Sequence, residues 1–378
     1  VCISLFAASG LTLSEETETP PWDVSAPSYS AEVQEIDLNV TEGTWMNLDV
    51  SPDGQHIAFD LLGDIYHIPI TGGEATPLLS GHAWEVQPQY SPDGRFLAFT
   101  SDRNGADNIW VMDLANPDDK HQITHESFRL LNNPSWHPSG DYLVAKKHFT
   151  TSRSLGTGEV WLYDANVDQA LARRNLQGSV LVKRPSPAFQ KELGEPTFSA
   201  DGESVFYIQN MTPGNTFIYH EDSNGEVMAI KRYDLETGEI EKVVGGAGGA
   251  VRPTPSPDGK TLAFVKRVRA ASRLFVMDLA SGEQTMLVDD LDPDMQETWA
   301  VQGAYPTMAW TPDGKSIVYW SQGHIWRVDV GSGETRQIPF SVNDTRTAYP
   351  AVEVAVDVAP DTLTTAMPRF ATQSPDGQ

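Results

Sequence analysis

The stretch of this chain best equipped for contact chemistry is "KKHFTTSRSLGTGE", the most basic run in an acidic protein. Lys146, Lys147, His148 and Arg153 could together meet an anion, and the guanidinium of Arg153 could grip a carboxylate with two parallel hydrogen bonds. The competing reading is a hairpin loop whose cations pair with acidic neighbours. Other candidates are weaker. "HQITH" sets His121 and His125 four apart, a zinc spacing only on a helix, and four residues of strand span ~13 Å, too far for one ion. "DDLDPDM" aligns Asp290, Asp292 and Asp294 like the start of a calcium loop. Met295 and Val301 then stand where Gly and the bidentate Glu are required, which leaves a solvated acidic loop. "SDRNGAD" (Asp102, Asn104, Asp107) reads as a turn held by Asx hydrogen bonds. Trp299, Tyr305 and Trp310 in "ETWAVQGAYPTMAW" could line a binding surface or pack between elements. No G-x-S-x-G, H-E-x-x-H or H-x-H occurs, and the single Cys2 offers no Cys–His nucleophile. No catalytic, cofactor-binding or metal-ligating residue is therefore assigned.

The elements that must position these residues are repeats. "SPDG" stands at 51–54, 91–94, 256–259 and 374–377, with "HPSG" at 137–140, "SADG" at 199–202 and "TPDG" at 311–314. Pro presets φ for a turn, Asp tolerates the bridge region and Gly takes the left-handed conformation that closes a bulged hairpin. Pro52, Asp53 and Gly54, Pro92, Asp93 and Gly94, Pro257, Asp258 and Gly259, and Pro312, Asp313 and Gly314 are thus structural turn residues. Apolar and aromatic runs follow ("QHIAFD", "RFLAFT", "KTLAFV", "KSIVYW"), then a third run such as "DNIWVMDL", a Gly-bearing turn and a fourth. One repeat is a four-stranded antiparallel meander. Its middle strands are nearly continuous in apolar residues, as in a sheet covered on both faces. Units of four strands every ~40–50 residues mark an all-β propeller. The expectation is six complete blades and the start of a seventh.

The 378 residues carry a formal charge of −26, which argues against non-specific binding to nucleic acid or an anionic membrane. No apolar run approaches the ~20 residues of a membrane span. "VCISLFAASG" at 1–10 reads as the remnant of a secretory signal and 11–30 as a flexible acidic, Pro-rich linker. Residues 31–378 are then the propeller, cut in its seventh blade. Because an N-terminal strand commonly completes the last blade, the strand-like "AEVQEIDLNV" at 31–40 is expected to lack its closing partner.

The Pro-Asp-Gly blades resemble the TolB-like, WD-type propellers. The ordered phrases "EGTWMNLDVSPDG", "AFTSDRNGADNIWVMD", "KKHFTTSRSLGTGEVWLY" and "DMQETWAVQGAYPTMAWTPDGKSIVYW" resemble a bacterial subgroup that carries such a propeller before an amidohydrolase domain. "HPSG" and "SADG" depart from the usual turn. The resemblance implies a periplasmic or secreted protein in which the propeller recognises or gates substrate, a small molecule or peptide. The hydrolysis of C–N bonds would occur in a C-terminal metal-dependent barrel, with a divalent metal, zinc, held there by His, Asp and carbamylated Lys. None of those ligand positions exists in this chain. The alternatives are a TolB-like propeller docking another envelope protein, and the propeller of a tricorn- or prolyl-oligopeptidase-type peptidase.

Overall fold

The computed structural model describes residues 33–153, 155–165, 178–222 and 224–349, and the short pieces 24, 358–359, 361–362, 370 and 372–377. The expected signal remnant at 1–10 and most of the 11–30 linker lie outside the described residues. Among those described there is no helix, hence none long and apolar enough to cross a membrane.

Six four-stranded antiparallel sheets follow one another along the chain. Blade one is Leu48–Val50, His56–Leu61, Asp64–Pro69 and Thr76–Leu79. Blade six is Ala309–Trp310, Ser316–Ser321, His324–Asp329 and Thr335–Ile338. Within each blade the strands pair in sequence order, so the repeat read from the sequence is the blade. The middle strands are buried on both faces. Ile57, Ala58 and Phe59 are all fully inaccessible, as are Leu262, Ala263 and Phe264 in blade five. Alternate side chains of one strand thus serve two neighbouring interfaces, and each fully buried Phe stabilises by ~1.5–3 kcal/mol.

All seven expected turns form. In each, the Gly amide donates to the carbonyl three residues back, as in Gly54 N to Ser51 O (2.8 Å) and Gly314 N to Thr311 O (2.8 Å). Most also carry a side-chain lock. Ser51 Oγ donates to Asp53 Oδ1 (2.6 Å), Asp53 Oδ1 accepts from Gln55 N (3.0 Å), and Ser51 Oγ accepts from His56 N (2.9 Å). Glycines 54, 94, 259 and 314 sit at φ between +67° and +71°. The Ser hydroxyl and the Gln55 amide hold the Asp53 carboxyl below its usual range.

The expected missing closure is corrected by the seam. Leu48 N of blade one donates to Thr307 Oγ1 (2.8 Å), Thr307 Oγ1 donates back to Leu48 O (2.9 Å), and Trp320 Nε1 donates to Gly43 O (2.7 Å). Blade six therefore lies directly against blade one, and the ring closes at six. Gln34–Val40 completes no blade. It pairs antiparallel with Phe340–Ala348, flanked by Gly73–Glu74, in a separate three-stranded strap over blade one. Arg346 of the strap is ion-paired with buried Asp64 (2.6 Å). The last Ser-Pro-Asp-Gly repeats the turn bond, Gly377 N to Ser374 O (2.9 Å).

Candidate functional site at the propeller axis

The innermost strand of blades two to five repeats a pattern that the turn motif overshadowed. "VQPQY", "NNPSW", "GEPTF" and "VRPTP" each place a polar residue before Pro, and Gln87, Asn133, Glu195 and Arg252 all have φ between +49° and +60°. The strand register slips at each of these sites, a bulge that turns the polar side chain toward the axis. All four are buried. With Asn47 and Thr307 at the matching positions of blades one and six, they form a hydrogen-bonded belt that runs from Thr307 round to Arg252 and Glu195. Thr307 N donates to Asn47 Oδ1 (3.1 Å) and Asn47 Nδ2 to Asp60 Oδ2 (2.8 Å). Gln87 N donates to the same Asp60 oxygen (2.9 Å), Asn133 N to Gln87 Oε1 (2.7 Å), Arg252 Nη1 to Asn133 Oδ1 (3.0 Å) and Arg252 N to Glu195 Oε2 (2.5 Å). Arg252 Nη2 alone of the guanidinium nitrogens has no hydrogen bond, though it is ion-paired with Glu195 (3.3 Å), and the rest of the network fixes one geometry for the core.

Above the belt the connection from blade five to blade six folds across the axis. Residues 299–305 present backbone groups to the belt. Gln302 O accepts from Gln87 Nε2 (2.7 Å), Val301 O from Lys146 Nζ (2.6 Å) and Tyr305 O from Arg252 Nε (2.7 Å), while Ala304 N donates to Glu195 Oε1 (2.6 Å). The segment is a plug. Below it an axial channel of about 320 Å3 runs to the face that bears the Pro-Asp-Gly turns. Its wall carries Asp49, Gln89, Ser135, Thr197, Thr254 and Ala309, one position from each blade. Burial pushes the Asp49 carboxyl up to about 7, against the two backbone amides, Tyr90 N (2.8 Å) and Val50 N (2.9 Å), that bond it. Desolvation likewise lifts Asp60 to about 6. The channel is mixed in character, its Asp49, Glu195 and Arg252 set among prolines and aromatic rings, and it is closed at one end.

The basic stretch is placed differently from expectation. Lys146, Lys147 and His148 lie not in a hairpin loop but inside the strand Tyr142–Thr150, all three buried. Alternation sends Lys147 to the opposite face from Lys146 and His148. Lys146 pairs with Glu192 of blade four and holds the plug. Lys147 pairs with Glu126 and stands over the Trp161 ring (4.2 Å). His148 packs edge-on to Trp299 (5.6 Å), neither ring nitrogen has a partner, and burial first, then Lys146, Arg129 and Arg184, lowers it to about 3. Arg153 alone is in the exposed turn between strands, its amide donating to Thr151 Oγ1 (3.2 Å). Lys146 and His148 both meet the plug, while Lys147 and Arg153 lie elsewhere, so the four do not converge on one site.

Other expectations sort similarly. His121 ends the fourth strand of blade two and meets Asp119 (3.0 Å), with His125 beyond the strand. Asp294 is not solvated as expected: it is buried against Arg267 (2.8 Å) and Ser272 Oγ (2.6 Å). Tyr305 and Trp310 are buried between blades, and Trp310 Nε1 donates to Thr254 O of blade five (2.9 Å). Among the described residues no three His, Cys, Asp or Glu side chains gather as a metal site.

Comparison with known proteins agrees with this geometry at the level of the fold. Residues 33–179 match the family model described as the TolB beta propeller domain. The crystal structure of TolB from Acinetobacter baumannii superposes with a TM-score of 0.56 at 16% identity, covering 80% of this chain and 66% of that one. By sequence the chain is similar to dipeptidyl aminopeptidase BIII of Pseudoxanthomonas mexicana, 24% identical over 60% of this chain and 36% of that protein. It is also similar to tricorn protease homolog 1 of Streptomyces coelicolor, 24% identical over 78% of this chain and 25% of that protein. The chain spans about a third or less of the length of these two relatives. The fold is that of a β-propeller, similar over residues 33–179 to the TolB beta propeller domain.

Proposed function

From a TolB-like β-propeller with a plugged axis, we propose a non-catalytic recognition region that binds or gates substrate for a hydrolase domain of the same protein. The observation that carries this is the channel. All six blades contribute a wall position to it, five of them polar, and one closed segment, 299–305, separates it from the opposite face. An extended peptide or a comparably narrow small molecule suits a passage of that size and polarity. The hydrolase is either of two classes. The ordered sequence phrases support a metal-dependent amidohydrolase, whereas the relatives matched by sequence are named as peptidases. Both cleave C–N bonds, so the propeller's task is the same. A periplasmic or secreted location is part of this proposal. A second reading, a propeller that docks another envelope protein, draws on the match at 33–179.

Thr254 lines the channel away from the plug, which makes it the position to test. In the full-length protein, Thr254→Trp should lower kcat/KM for peptide amides and N-acyl amino acid amides by about tenfold or more, a ~1.4 kcal/mol effect. Unchanged hydrolysis with a confirmed fold would sink the gating role. Unchanged hydrolysis with loss of an envelope partner would favour docking.

A further inference from the structure

On the far side of the plug from the channel lies a second cavity, of about 400 Å3, lined by Trp45, Asp107, Leu130, Met295, Trp299 and Gly303 among others. That volume lies in the range of small-ligand sites, ~300–1,000 Å3. Its two tryptophans are fixed and half-buried. Trp45 stands at φ +56°, a left-handed backbone that a bulky side chain rarely adopts, and leans on Tyr305 (5.9 Å) and Trp320 (6.2 Å). Strain of this kind persists where surroundings impose it, and it clusters at binding sites. Trp299 is held by its indole N–H on Gly156 O (3.4 Å) and by the His148 ring beside it.

Asp107 gives the cavity its sign. Its backbone carbonyl accepts from Leu131 N (3.2 Å), which pins it between blades two and three. Its carboxylate has no hydrogen-bond donor and no cation among the described residues, unlike Asp102 nearby, whose Oδ1 accepts from Trp84 N (2.7 Å). Burial, then the Asp102 charge, pushes Asp107 up to about 6, so at neutral pH it is ionised without a counterion. A partly desolvated, unpaired carboxylate beside two ring faces is complementary to a cation that is organic and weakly hydrated.

We propose that this cavity binds one organic cation, the ammonium or guanidinium of a lysine or arginine side chain in an extended peptide, with Asp107 as countercharge and Trp45 and Trp299 as ring faces. A metal ion is a poorer fit, since a single carboxylate supplies too few oxygen ligands. The site stands on the opposite side of the plug from the channel and does not depend on the gating role.

The test is calorimetric titration of the whole protein with blocked tripeptides Ala-Lys-Ala, Ala-Arg-Ala, Ala-Leu-Ala and the acetyl-lysine form of the first. Lysine and arginine peptides should bind at least tenfold tighter than the leucine and acetyl-lysine peptides. Asp107→Asn and Trp299→Ala should each cost about tenfold. Asp118→Asn, which removes the same charge from the outer strand of blade two, should cost little. Because Trp299→Ala also loosens the plug, Asp107→Asn with an unchanged melting temperature is the deciding variant. No detectable binding, equal binding of lysine and acetyl-lysine peptides, or equal losses in Asp107→Asn and Asp118→Asn would each overturn the assignment.

Discussion

Lys146 shows how one buried charge can tie a blade to the plug. Its ammonium is met by Glu192 and by Val301 O, and desolvation, partly offset by Lys146, lifts Glu192 to about 7. Removing one partner of such a pair leaves the other unpaired, which costs ~3–5 kcal/mol, while replacing both by apolar residues is often neutral. Lys146→Met should therefore lower stability in urea melts by about that amount, and Lys146→Met with Glu192→Leu should recover much of it. Arg153→Ala, in an exposed turn, should stay within ~0.5 kcal/mol. His148 acts through protons. Its folded pKa, about 3, lies below the ordinary 6.5, so its contribution is present above pH 6.5 and is lost as pH falls toward 3, where the unfolded chain takes up the proton. His148→Leu should flatten the fall in melting temperature between pH 7 and pH 4. An unchanged slope would show that the ring is solvated. The types of these residues were legible, but their roles were not, because alternation along a strand sends adjacent cations to opposite faces and only the neighbouring blades decide what each one meets.

The turn is the unit that repeats most faithfully, and its chemistry is local. Gly259 has φ +70°, and a Cβ there would stand an ordinary 3.4 Å from the Ala200 Cβ. Gly259→Ala should cost ~1–2 kcal/mol from backbone strain alone, read as a lower melting temperature with the fold retained. A neutral substitution would mean that the turn relaxes to another type. Legibility was highest here, since Pro, Asp and Gly act within four residues and need no tertiary partner. The inner strands were equally periodic but harder to read. Polar residues before Pro at 87, 133, 195 and 252 were visible as a pattern, yet a polar residue in a strand ordinarily faces solvent. The bulge that turns them inward and the partners that satisfy them come from four different blades.

At the scale of the whole molecule the decisive feature is closure at six blades. Thr307 joins blade six to blade one by two hydrogen bonds to Leu48 and one to Asn47. With each bond contributing ~0.5–1.5 kcal/mol, Thr307→Val should cost ~1–3 kcal/mol, measured by urea denaturation, because it keeps only the backbone bond to Asn47. A cost near zero would mean that the seam is open. The seventh turn motif forms as expected, but a motif reports its own hairpin, not its place in a ring. What the sequence determined by itself was the β-meander repeat, its turns, its double-sided strands and the number of complete blades. All of these rest on local conformational preference and on an alternation of apolar residues that one strand can display. Closure, the belt, the plug and the cation pocket were decided by tertiary structure. Each joins residues far apart in the chain, such as Asn47 with Thr307, Lys146 with Val301 and Trp45 with Asp107, and their proximity follows from the angle at which six sheets pack around an axis.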